Sequence, residues 1–246
     1  MVELIKDGKR VDGRDFEELR KIKIEVNPIP NANGSALFSF GNTIAIAAVY
    51  GPRSLYPKFL QEKEETLVRV RYNMAPFSTE TRKNPGIDRR SIEISKVIKN
   101  AIENSIFSEE YPRTVIDCYA EVLSGDGSTR VTSLNALSIS LALAGIKMKD
   151  LIAACTAGRI GDKIIVDLNQ LEDNYGDCDI SFAMLLNTNE IVLLQLDGEI
   201  KKDEFLYALK VLKEKCKIIR EEQEKKIKEY FEKNAWKIGF RIIEKG

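Results

Sequence analysis

The 246-residue chain contains no histidine, and that absence removes more chemistry than any single motif could announce. Ser-His-Asp and Cys-His nucleophiles, HExxH metal sites and imidazole acid–base catalysis are all excluded. Any reaction must run on carboxylates, arginines, lysines, hydroxyls or metal ions. Cysteine is scarce as well. Cys118, Cys155, Cys178 and Cys216 lie far apart in apolar stretches and form no CxxC pair, so they read as buried free thiols rather than zinc ligands or a disulfide framework. Long apolar runs are also missing. No stretch approaches the roughly 20 residues of a bilayer-spanning helix, and residues 1–7 hold no signal-peptide core, so a cytoplasmic protein with no membrane contact is expected. With 15 glycines and 7 prolines against 43% hydrophobic residues, the chain can fill a substantial core.

Neither sign of charge is in excess: 38 Lys and Arg balance 38 Asp and Glu, so the net charge makes no case for nucleic acid. The distribution is uneven, however. Basic residues outnumber acidic ones between 51 and 100, and the reverse holds between 162 and 204. An anion-binding half and a metal- or proton-handling half would carry this pattern, and so would two solvated faces.

Gly125-Asp126-Gly127-Ser128-Thr129-Arg130 lies between a β-rich segment, 114–123, and an apolar run, 131–144, whose nonpolar residues point all round a helix. The turn therefore opens a buried helix. Backbone N–H groups at such a helix start have no partners of their own, and glycine lets an anion approach them. Thr129 adds a hydroxyl, and Arg130 a fork that matches phosphate oxygens. Phosphate is the natural guest, although an ordinary strand-to-helix turn capped by Ser128 or Thr129 has the same short pattern. No Walker Gly-Lys-Ser/Thr follows.

Alternation predicts strands at 22–26, 35–40 and 43–50, arranged as an antiparallel meander, and at 67–74 with Arg69 and Arg71 on one face. Residues 10–14 read as a polar turn, and 51–65, with Arg53 and Lys58, as a long basic loop. Helical spacing of Ile94, Val97, Ile98, Ala101 and Ile102 starts a helix at Asp88 and puts Arg89 and Arg90 in its first turn. Cations are disfavoured there unless solvent or a nearby anion compensates. Beyond Gly145 a second αβ half begins, with strands at 151–159 and 163–167 and an acidic turn at 171–179. The following strand puts Asp177, Asp179 and Ser181 on one face, and a long charged helix occupies 202–234. An acidic turn is commonly just solvated, but carboxylates at a strand mouth also make Mg²⁺ or Mn²⁺ sites. No hydrophilic linker separates residues 1–149 from 150–246, so the two halves are expected to share a core.

Together these segments resemble the RNase PH family of phosphorolytic 3′→5′ exoribonucleases, and within it the catalytic ring subunits of archaeal exosomes. The resemblance rests on Arg10-Val11-Asp12-Gly13-Arg14, on residues 34–43, and on Arg89-Arg90 with Glu93-Ile94. It rests further on residues 125–130, similar to an Ala-Asp-Gly-Gly-Thr-Arg phosphate loop, and on Asp173 with Asp179. Gly125 and Ser128 stand where that loop often has Ala and Gly, and Asp177 where Glu is frequent. The resemblance implies an α+β fold of RNase PH (ribosomal protein S5 domain 2-like) type, with mixed sheets, packed helices and two αβ halves.

It also implies a reaction that needs no histidine. Inorganic phosphate, the co-substrate, attacks the terminal phosphodiester of RNA and releases a nucleoside diphosphate, and the reverse reaction adds tails. In this resemblance Gly127, Ser128, Thr129 and Arg130 bind phosphate with Arg89 and Arg90, while Arg89, Arg53 and Lys58 contact RNA. Asp173 and Asp179 are the catalytic carboxylates and the ligands for Mg²⁺ or Mn²⁺. The implied partners are single-stranded RNA, a non-catalytic RNase PH-like subunit alternating in a hexameric ring, and an RNA-binding cap subunit. Two alternatives stay open: an RNase PH-type homo-oligomer that trims tRNA 3′ ends, and a non-catalytic RNA-binding ring subunit.

Overall fold

A computed structural model describes residues 4–6, 8–57, 64–86 and 88–243, with side chains described as far as residue 234. A short hairpin of β1 (Ile5–Lys6) and β2 (Lys9–Arg10) precedes the first sheet. β3 (Ile22–Val26), β4 (Gly34–Phe40) and β5 (Thr43–Ser54) form the antiparallel meander that alternation predicts. β6 (Leu67–Met74) is followed by α1 (Arg89–Ser105) and then by β7 (Thr114–Ser124), which runs parallel to β6 and antiparallel to β5. A parallel pair requires a crossover, and α1 supplies it. The strand order is β3-β4-β5-β7-β6.

The first half ends with α2 (Thr129–Leu143), and the second begins with β8 (Ile152–Ile160), β9 (Lys163–Val166) and α3 (Gln170–Tyr175). It closes with β10 (Cys178–Leu185), β11 (Glu190–Gly198) and α4 (Lys202–Ile243). Its antiparallel sheet has the order β11-β10-β8-β9. α2 is buried continuously from Val131 to Leu141 and packs against β4 and β5 on one side and β8 on the other. One core therefore serves both sheets. All-round burial is what the apolar run 131–144 implies, and its one buried amide is satisfied: Asn135 pairs with the backbone of Ala154 at 2.8 and 2.9 Å and accepts from Gln223 of α4 at 3.0 Å.

Two expectations are corrected. β5 does not stop at Tyr50. Gly51, at φ +123°, forms an irregularity that lets the strand resume against Val115 and Thr114, so Arg53 stands on a strand rather than in a loop, while Lys58 lies outside the described residues. The acidic turn at 171–179 contains α3, closed at its start by a reciprocal capping box between Asn169 and Glu172. Residues 10–14 form the expected turn, with Val11, Asp12 and Gly13 exposed, but the arginines at its two ends are buried. Arg10 is fully buried, gripping both carboxylate oxygens of Glu172 at 2.7 and 2.5 Å and the carbonyls of Val166 and Asp167 at 2.6 and 2.9 Å. A buried fork with every contact charge-assisted or carbonyl-bound makes Arg10 a clasp between the N-terminus and the segment leading into α3.

Candidate active site

The loop before α2 is built by its contacts. Asp126 N–H donates to Thr43 Oγ1 at 3.1 Å, and Arg20 Nη1 donates to Asp126 O at 2.5 Å. Gly127 adopts φ +68°, and a Cβ there would sit 2.5 Å from Leu168 O, so both its conformation and its packing require glycine. Ser128 is also left-handed, at φ 56° and ψ 21°, and its hydroxyl is used up by Leu168 O at 2.8 Å and Thr156 Oγ1 at 2.7 Å. It occupies the N-cap position of α2 without making a side-chain cap bond. The first-turn amides of α2 are thus left for a guest.

Two side chains frame those amides. Tyr72 donates its hydroxyl to Thr129 Oγ1 at 3.0 Å, a partner that reading the sequence missed because only the placement of the strand beside β7 brings the two together. Arg130 donates from Nη1 to Ser181 Oγ at 3.1 Å, while its buried Nε has no partner among the described residues. Burial, then the neighbouring Arg90 charge, lowers the Arg130 pKa from its usual value, and Asp179 opposes the shift. A guanidinium charge held this dry is costly unless an anion lies against it.

Gly127, Ser128, Thr129 and Arg130 line a cavity of about 330 Å³ together with Arg90, Asp173 and Asp179. α1 delivers Arg90 from its first turn, and its start is fixed by Asp88, whose carboxylate accepts from Ser91 N–H at 2.6 Å. Those bonds from Ser91, aided by Lys83, hold the Asp88 carboxyl down at about 2, so an anion stands at the head of the arginine-bearing helix. Arg89 is exposed and lies outside the cavity lining. Arg53 is remote from it too, paired with Asp117 at 2.5 Å and 5.9 Å from the centre of the Tyr50 ring.

The carboxylate wall comes from the second half. Asp173 projects from α3, and burial raises its pKa against the pull of Arg90, Arg130 and Arg20. Asp179 is on the β10 face that also carries Ser181, and burial raises its pKa first, with Asp173 and Asp197 adding to the effect. Asp197, directly opposite Asp179 in the β10–β11 register, was missed by the sequence reading, because only strand pairing reveals it. Asp177 is not beside Asp179 in the site; its Oδ2 accepts from Gly161 N–H at 2.7 Å across the β8–β9 hairpin. Among the described residues no three Asp, Glu or Cys side chains converge into a metal cage. Two carboxylates facing a phosphate cradle nonetheless fit Mg²⁺, which keeps several waters and shares its remaining ligands with substrate phosphates.

Arginines and free amides on one wall, paired carboxylates on the other, and a two-sheet α+β frame define an enzyme class that handles phosphoryl groups. Residues 18–147 match the model of the 3′ exoribonuclease family, domain 1, and residues 150–215 match domain 2 of the same family. The chain belongs to the RNase PH family of 3′ exoribonucleases. It is 52% identical over 232 residues to the exosome complex component Rrp41 of Pyrococcus abyssi, covering 94% of this chain and 93% of that one. Against Rrp41 of Methanopyrus kandleri the identity is 48% over 225 residues, covering 92% and 94%. The fold is shared with rice Rrp46, at a TM-score of 0.80 and 23% identity over 89% of this chain and all of that one. It is also shared with a chain of an Archaeoglobus fulgidus exosome solved with RNA bound to the active site, at a TM-score of 0.75 and 24% identity over 88% of this chain and 93% of that one.

Proposed function

We propose that the chain is the catalytic subunit of an archaeal exosome ring in the cytoplasm, degrading single-stranded RNA from the 3′ end by phosphorolysis. The observation that carries this reading is the cavity in which Arg90, Thr129, Arg130 and the α2 amides face Asp173 and Asp179. The identity to Rrp41 components along nearly the whole chain supports the exosome assignment. In the assembly it alternates with a non-catalytic RNase PH-like subunit in a hexameric ring under an RNA-binding cap. Arg53 and Lys58 contact the RNA backbone along the approach, and Arg89 does so at the rim.

Inorganic phosphate is already an anion and needs no base. The Arg130 guanidinium, the Thr129 hydroxyl and the first-turn amides of α2 hold it, and Arg90 neutralises charge shared with the scissile phosphoryl group. A phosphate oxygen bonds to the terminal phosphorus while the bond from that phosphorus to the preceding 3′-oxygen breaks. The departing oxygen needs one proton. Asp179, with Asp173 near it, supplies that proton, because burial keeps a larger protonated fraction than a solvated aspartate has. With Asp179 carrying the proton, Mg²⁺ held by the ionised Asp173 and by substrate phosphate oxygens would neutralise phosphoryl charge as the bond exchanges. The test is to give the chain poly(A) and Mg²⁺, alone and with its partner subunit, with and without phosphate. Nucleoside diphosphates released only with phosphate support the reading; nucleoside monophosphates in phosphate-free buffer contradict it.

A further inference from the structure

Three successive residues of the anion loop face one short segment of the second half. Asp126 Oδ1 accepts from Gln170 N–H at 3.0 Å, Gly127 packs without room for a Cβ against Leu168 and Asn169, and Ser128 Oγ donates to Leu168 O at 2.8 Å. Gln170 is the first residue of α3, three positions ahead of Asp173. The capping box satisfies the amides of Asn169 and Glu172 and leaves that of Gln170, which Asp126 takes. The Asp126 carboxylate is itself held. Arg20 Nη1 lies 3.7 Å from Oδ2, and Asn42 Nδ2 donates to the same oxygen at 3.3 Å. Asp126 does not line the phosphate cavity; it lines a cleft on the other side of the loop.

We propose that Asp126 is a positioning residue: by holding the first amide of α3 it fixes where Asp173 stands relative to the anion loop. The inference rests on the reading of the cavity as a phosphate site faced by catalytic carboxylates. α3 spans only six residues, far too few to hold its own conformation or direction, so its placement is set by what grips its ends. Arg10 grips it through Glu172, and Asp126 grips it from the loop that binds the attacking group. A displacement of about 1 Å at a reacting group can lower a rate about 100-fold, so this one hydrogen bond has kinetic reach. It links the two charged halves of the site without touching substrate.

Two variants remove the bond from opposite sides. Asp126→Ala deletes the acceptor, and Gln170→Pro deletes the donor at a first-helical-turn position that suits proline, preceded by Asn169 in the extended conformation that proline demands. Asp126→Asn keeps an acceptor, and Gln170→Ala keeps the N–H. Assayed in the assembled ring, Asp126→Ala and Gln170→Pro should each lower kcat about tenfold or more, with KM for phosphate changed less than about twofold. Asp126→Asn should recover most of the loss, and Gln170→Pro should fall well below Gln170→Ala. In an Asp173→Asn background the Asp126→Ala effect should largely vanish, because both act through one carboxylate. Equal rates for Gln170→Pro and Gln170→Ala, or full additivity with Asp173→Asn, would overturn the proposal. If Asp173→Asn alone leaves kcat unchanged, the catalytic role of Asp173 fails instead; the Gln170→Pro and Gln170→Ala comparison still decides whether the bond matters.

Discussion

The Tyr72 hydroxyl donates to Thr129 Oγ1 at 3.0 Å in a buried contact between β6 and the first residue of α2. Because Thr129 oxygen is the acceptor, its own hydrogen stays free to turn into the cavity. Tyr72→Phe should therefore loosen an aimed donor without removing it, and KM for phosphate should rise roughly two- to tenfold, the worth of about one net hydrogen bond. Thr129→Val should do at least as much. An unchanged phosphate KM in both variants would place the hydroxyl outside the binding contacts.

The Arg10–Glu172 pair has no exposed side-chain surface on either partner. Removing one member strands the other as a buried charge, so Glu172→Ala should destabilise the fold by about 3–5 kcal/mol. Denaturant unfolding followed by circular dichroism measures it. A loss under about 1 kcal/mol would show that Arg10 finds water or another carboxylate.

Much of the site was legible because its parts are local. The glycine-bearing loop ahead of an all-round apolar run fixed the start of α2, and helical spacing beyond Asp88 put Arg90 at the head of α1. What escaped depends on pairing across the chain. Asp197 meets Asp179 only through the β10–β11 register, and Tyr72 reaches Thr129 only because β6 lies beside β7. Arg10, Arg14 and Arg20 look like solvated charges until Asp167 and Glu172 are brought against them. α3 carried a readable signal, Asn169 followed three residues later by Glu172, masked by the acidic composition around it.

Asp179 should be a stability cost that activity requires. Its pKa is raised in the folded state, so the fold binds a proton more tightly than the unfolded chain does, and stability falls as pH rises from the ordinary value of 3.8 through the raised one. Above that window the full cost is present. Asp179→Asn should accordingly melt at a higher temperature than the parent at pH 7, with the gap closing as pH drops through the window toward 3.8. A lower Tm for the variant at pH 7 would mean that the carboxylate is stabilised by Arg130 and Arg90 more than burial disfavours it.

Arg53 and Lys58 are expected to act on RNA by charge alone. Replacing both with Ala should weaken RNA binding and flatten its salt dependence, each lost phosphate contact removing about 0.7 from the log–log slope for a single strand. Since Arg53 is already paired with Asp117, Arg53→Ala alone should have the smaller effect. An unchanged slope in the double variant would assign the segment another role.

The central claim is that the cavity divides its labour, with arginines and amides holding phosphate and carboxylates acting only as the bond breaks. Steady-state kinetics of Arg130→Ala and Asp179→Asn rings, with phosphate varied at saturating RNA and Mg²⁺, test it most directly. Arg130→Ala should raise KM for phosphate as well as lower the rate, because it removes a guanidinium charge that lines the cavity. Asp179→Asn should lower kcat and leave KM for phosphate nearly unchanged, since the amide keeps the shape and loses the proton and the charge. A full-rate Asp179→Asn enzyme, or an Arg130→Ala enzyme with unaltered phosphate KM, would contradict the account.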